Sequence, residues 1–111
     1  MNIQKFIAEW LSASNAFDTT KYLSFYSEEV ILDDSSVGRK FEGHTGVKEY
    51  FTNYFIGYHT QTRQIKIIIT DAENIHLEVE FTGEFPEGRI GGTFDFKLKD
   101  GKIIYVKAYL I

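Results

Sequence analysis

Two aspartates are placed where a carboxyl group could do chemistry. Asp34 closes the apolar run Val30-Ile31-Leu32. At the end of a buried strand a carboxylate is able to point back into the interior and serve as a general base. The competing reading of Asp33-Asp34-Ser35-Ser36 is an Asx-turn, the commoner role for such an aspartate, and spacing alone favours it. Asp95 is the more unusual residue because it interrupts Thr93-Phe94-Asp95-Phe96-Lys97-Leu98. Strand alternation puts Asp95 with Thr93 and Lys97 on one face and both phenylalanines on the other. If the phenylalanine face is the core, Asp95 is solvated. If Asp95 faces a pocket, Phe94, Phe96 and Leu98 need a second cover, most simply another copy of the chain.

Other reactive constellations are missing. His44, His59 and His76 are scattered with no metal-ligand spacing. There is no cysteine, which excludes disulfides, thiol catalysis and thiolate metal sites. Gly43-His44-Thr45-Gly46 is too short a glycine pattern to cradle a phosphate, and no nucleophile elbow is present. No metal and no cofactor are expected. The 12 basic and 16 acidic residues leave a net charge of −4, against the basic stripe of a nucleic-acid binder. Lys97, Lys99, Lys102 and Lys107 gather near the end of the sequence, where such residues commonly deter strand-edge pairing.

The elements that must position the two acids are read from periodicity. Residues 1–111 are expected to make one domain with one hydrophobic core. Ile3, Phe6, Ile7, Trp10 and Leu11 form a helical stripe, with Asn2 as its cap and an end near Asn15–Ala16. Asp18 is expected to cap a short helix whose Tyr22, Leu23 and Tyr26 share a face. A short strand, Val30–Leu32, and a minor one around Lys40–Glu42 follow. Thr45 is expected to cap a third helix presenting Val47, Tyr50, Phe51, Tyr54 and Tyr58.

The second half changes period. Ile65, Ile67 and Ile69 alternate with polar residues, and Ile75, Leu77, Val79 and Phe81 do so cleanly. Ile90–Lys99 and Ile103–Leu110 complete four antiparallel strands, the last two joined by an Asp100-Gly101 hairpin turn. Gly91-Gly92 inside the third long strand reads as a bulge or a close backbone approach, and as a bend. Helices segregated from an antiparallel sheet make an α+β fold. The first residues carry no continuous apolar stretch and include Glu9, so neither a secretion signal nor a membrane span is expected, and the location is read as cytoplasmic.

This order of elements, with Val30 to Phe51 (VILDDSSVGRKFEGHTGVKEYF), resembles the ketosteroid isomerase and SnoaL-like polyketide cyclase branch of the nuclear-transport-factor-2-like superfamily. The resemblance covers nearly the whole chain. It implies a cone-shaped, curved antiparallel sheet wrapped around three N-terminal helices. It also implies that Asp34 is the general base and Asp95 the acid that hydrogen-bonds the developing oxyanion, a division of labour for which ketosteroid isomerase is the standard illustration. Tyr26 matches a supporting tyrosine. The family's oxyanion-binding tyrosine falls at Trp10, whose indole N–H donates one hydrogen bond and accepts none. Phe51 stands where another network tyrosine is expected. The implied cavity is lined by Trp10, Tyr26, Phe51, Val79, Phe81, Val106 and Ala108.

The functional expectation is a pocket for a hydrophobic small molecule. It would act as an isomerase or cyclase through the enolate of a small apolar carbonyl compound. The alternative is a non-catalytic ligand-binding or interaction domain of the same fold. An epoxide hydrolase would want an arginine beside paired acids, and Arg89 lies next to a loop where it does not obviously serve. A homodimer through the outer sheet face, with Phe94, Phe96 and Leu98 buried against the partner, completes the expectation.

Overall fold

Asn2 opens the first helix as its spacing predicts, its side chain accepting the Lys5 N–H at 3.0 Å. In the computed structural model, which describes residues 1–111, α1 runs Ile3–Asn15 and buries Ile7, Trp10, Ala13 and Ser14. Asp18 caps α2 (Thr19–Ser24) by accepting the Lys21 N–H at 3.1 Å. That helix stops before Tyr26, which instead begins β1 (Tyr26–Asp34). The expected strand of three residues is therefore nine, because β2 (Arg39–Glu42) pairs with its last four positions on one side and a later strand covers the other.

The third helix, α3 (Gly43–Phe51), starts two residues before the expected Thr45 cap. Gly43 supplies the turn at φ +68°, a region costly for a residue with a Cβ, and no side chain caps this end. A π-helical turn, Thr52–Ile56, continues it, closed by the Gly57 N–H donating to the Thr52 carbonyl five residues back at 2.9 Å. One extra residue per turn rotates Phe55 inward beside the expected stripe of Tyr50 and Tyr54.

The long strands are β3 (Gln61–Ile69), β4 (Asn74–Thr82), β5 (Arg89–Lys99) and β6 (Lys102–Leu110). They join β1 and β2 in one curved sheet of order β2-β1-β6-β5-β4-β3. All neighbours are antiparallel except β1 and β6, which run parallel. Asp100 and Gly101 take φ +52° and +75°, the paired left-handed turn expected of that dipeptide. Gly91 and Gly92 pair in unbroken register with Glu80 and Val79, so they form no bulge. They mark close approaches instead: a Cβ on Gly92 would stand 2.3 Å from Phe81, and one on Gly91 3.1 Å from Ile111. The register slips lie elsewhere, between Tyr26 and Ile31, between Gln64 and Lys66, and between Lys97 and Leu98.

The inner face of the sheet meets the helices in one core. Ile75, Leu77, Val79 and Phe81 of β4 face it, with Phe94, Phe96 and Leu98 of β5. Trp10 packs edge-on against Phe94 and Phe96, at 5.1 Å each between ring centroids. The expected burial of Phe94, Phe96 and Leu98 against a second copy is thus corrected: the chain's own first helix covers that face. No helix is long and apolar enough to cross a membrane.

Candidate functional site

Val30, Leu32 and Asp34 alternate inward along β1, so the strand that buries two aliphatic side chains also turns the aspartate into the interior. Asp34 is only 7% exposed. Its Oδ1 accepts the Ser36 N–H at 2.8 Å and the Val37 N–H at 3.3 Å. Its Oδ2 accepts the Tyr50 hydroxyl at 2.7 Å. The Asx-turn and the inward-facing carboxylate, opposed as sequence readings, are one arrangement: the turn donors hold one oxygen while the other faces α3.

Beside Asp34 lies an open cavity of about 310 Å³. Tyr50, Tyr54 and Phe55 from α3 and the π-turn form one wall, with Tyr58 and Thr60 beyond them. Phe81 and Ile90 of the sheet form another, and the Phe85-Pro86-Glu87 loop, Val37 and Leu110 also line it. Burial pushes the Tyr50 phenol well above its ordinary pKa, and the neighbouring Asp34 charge adds to that. Tyr50 therefore stays a hydrogen-bond donor to Asp34. The hydroxyls of Tyr54 and Tyr58 make no hydrogen bond within the molecule, whereas the Thr60 hydroxyl is spent on the Tyr54 carbonyl at 3.0 Å.

Of the expected lining, Asp34 and Phe81 are at the cavity. Trp10, Tyr26, Phe51, Val79, Val106 and Ala108 are not; they fill the core beneath it. The Trp10 indole N–H donates to the Tyr26 hydroxyl at 2.9 Å, which donates to the Tyr22 hydroxyl at 2.8 Å. Tyr22 stacks on Phe51 with centroids 4.0 Å apart. These rings close the space the resemblance assigned to ligand, and burial raises the pKa of both Tyr22 and Tyr26.

Asp95 is a second correction. With Phe94 and Phe96 inside, alternation sends it to the outer sheet face, where its side chain is 43% exposed. There Oδ1 lies 2.6 Å from His76 Nδ1, and Oδ2 accepts the Tyr109 hydroxyl at 3.2 Å. His76 Nε2 lies 3.3 Å from Glu78. The Asp95 hydrogen bond raises the His76 pKa, with Glu78 contributing in the same direction. Asp34 and Asp95 thus lie on opposite faces of the sheet. Arg89 is exposed beside Glu80, and neither it nor any histidine lines the cavity. No group of three or more acidic or histidine side chains is placed to hold a metal ion.

Sequence reasoning found Tyr50, Tyr54 and Tyr58 as a helix stripe but not as a site. The signal available was three phenols at four-residue spacing, more hydroxyl than a dry core accommodates. Phe55 and Phe85 carried no such signal.

A comparison of the sequence with curated proteins gives no match. Among solved structures, a candidate polyketide cyclase from Sinorhizobium meliloti superposes with a TM-score of 0.84 at 15% identity, over 94% of this chain and 93% of that one. A Mycobacterium tuberculosis protein in complex with estradiol-17β-hemisuccinate gives 0.82 at 14% identity, over 95% and 90%. The epoxide hydrolase/cyclase-like enzyme SalBIII, of pyran ring formation in the polyether salinomycin, gives 0.82 at 18% identity, over 97% and 89%. At such identities the likeness establishes the fold. The SnoaL-like domain model matches residues 7–106, and the chain belongs to that family.

Proposed function

We propose that the chain binds a small apolar carbonyl compound beside Asp34 and isomerises or cyclises it through an enolate. The observation that carries this reading is one nearly buried carboxylate, fixed by three donors at the wall of an aromatic cavity. Asp34 Oδ2 accepts a proton from the carbon next to the carbonyl. The electron pair moves onto the carbonyl oxygen, and the Asp34 carboxyl then returns its proton, either to the γ-carbon of a conjugated dienolate or to the alkoxide formed when the enolate attacks a second carbonyl of the same molecule. Asp95 is on the wrong face to stabilise that oxygen. The free phenols of Tyr54 and Tyr58, which line the cavity, take the role of donors to the developing oxyanion. Tyr50, committed to Asp34, positions the base. The neighbour in complex with estradiol-17β-hemisuccinate supports a small-molecule role for this fold.

A second reading, a binding module without turnover, is favoured by the presence of one inward carboxylate where the family's isomerases are expected to use two acids. Solvent deuterium exchange separates the two. In D2O the wild type should accelerate exchange at the α-carbon of 1-tetralone, followed by proton NMR, and Asp34→Asn should lose about 100-fold or more of that acceleration. Equal exchange by both proteins would remove Asp34 from the chemistry. Binding with no accelerated exchange would favour the binding module.

A further inference from the structure

Two aromatic walls of the cavity rest on glycines. Phe81 lies diagonally across the β4–β5 pair from Gly92, since Phe81 faces Ile90 and Val79 faces Gly92. Its ring fills the place of a side chain at that position: a Cβ on Gly92 would be 2.3 Å from Phe81 Cε2 and 3.1 Å from Cζ. Phe85 is seated in the same way on Gly83, where a Cβ would be 2.8 Å from its Cε1. Phe81 is also held edge-on between Phe55 and Phe94, at 5.8 and 5.9 Å between centroids. The ring also lines the cavity.

Carbon atoms pack at about 3.5–4.0 Å, so a methyl group at position 92 would push the ring about 1 Å or more into the cavity. The space is small to begin with. A dry cavity of about 150 Å³ holds one benzene ring, and this one is about 310 Å³. Its lining holds two carboxyl groups, Asp34 and Glu87, and no lysine, arginine or histidine.

From these observations we infer that the site takes uncharged ligands of one or two fused rings, and that Phe81 seated on Gly92 sets the size limit. The inference rests on the carbonyl-pocket reading and sharpens it: a four-ring steroid and an acidic ligand are both excluded. Gly92 and Phe81 are specificity determinants, acting on which ligand fits and not on the proton transfer.

The test is a binding series followed by amide NMR shifts at Tyr50, Thr60 and Phe81. The ligands are cyclohexanone, 1-tetralone, 1-naphthoic acid and androst-4-ene-3,17-dione. The wild type should bind 1-tetralone at least tenfold more tightly than the steroid or the acid. Gly92→Ala should weaken 1-tetralone tenfold or more while changing cyclohexanone less than twofold. Adding Phe81→Leu to Gly92→Ala should restore 1-tetralone, a rescue that general loss of stability would not produce. Where Gly92→Ala does not fold, Phe81→Leu alone carries the test by narrowing the gap between 1-tetralone and the steroid.

Steroid or acid binding as tight as that of 1-tetralone overturns the inference. So does an unchanged ligand preference in the variants, or no binding of any ketone. Tetralone binding without Asp34-dependent exchange would sink the enolate reading and leave the size limit standing. Asp34-dependent exchange on a steroid would do the reverse.

Discussion

At the scale of single residues, the two aspartates show what alternation does and does not reveal. It correctly divided Asp95 from Phe94 and Phe96, but the pattern alone does not say which face is inward; Trp10, 85 residues away, decides that by covering the phenylalanines. Asp34 was legible because Val30 and Leu32 carry its direction. Its partner Tyr50 was visible only as part of a helix stripe. Tyr50→Phe should remove one hydrogen bond to a nearly buried carboxylate and cost about 1–3 kcal/mol in urea unfolding, with the larger fractional loss in Asp34-dependent exchange. The outer cluster gives a pH prediction. The folded His76 pKa is raised by Asp95, so its stabilising contribution is complete below the unfolded value of about 6.5 and is lost as pH rises through the folded value. Lys66 stands opposite Glu78 in the sheet register, and Tyr109, its phenol pKa raised by burial and by the Asp95 charge, donates to Asp95. The urea midpoint of the wild type should therefore fall between pH 6 and pH 8.5 by more than that of His76→Gln.

At the scale of elements, capping and period were legible and tertiary completion was not. Asn2, Asp18, the clean alternation of β4 and the Asp100-Gly101 turn are local signals, and each appears where it was read. The extension of β1, the π-turn and the parallel β1–β6 pair depend on partners far along the chain, which a local window does not contain. Asn15 is a case of its own. It was read only as a helix end, yet its side chain donates to the Thr62 carbonyl at 2.9 Å and accepts the Thr62 N–H at 2.7 Å, clamping α1 to the start of β3. Asn15→Ala should cost about 1–3 kcal/mol by thermal or urea unfolding, because two backbone groups of Thr62 lose their partner. Ligand preference should survive the change, since neither residue lines the cavity.

At the scale of the whole molecule, the aromatic residues divide into two populations. One, around Trp10, Tyr22, Tyr26 and Phe51, is a sealed stack whose hydroxyls satisfy one another. The other, around Tyr50, Tyr54, Tyr58 and Phe85, surrounds open space. The resemblance placed the cavity deeper, among rings that here fill the core. The position of β6 has a consequence for how the chain comes to be folded. It stands between β1 and β5, and it is synthesised after every other strand. Without it, β2-β1 and β5-β4-β3 are two separate ribbons, each with a bare inner edge open to pairing with a neighbouring chain. Seating β6 is what makes the sheet continuous, and a chain in which β6 is displaced exposes both inner edges at once.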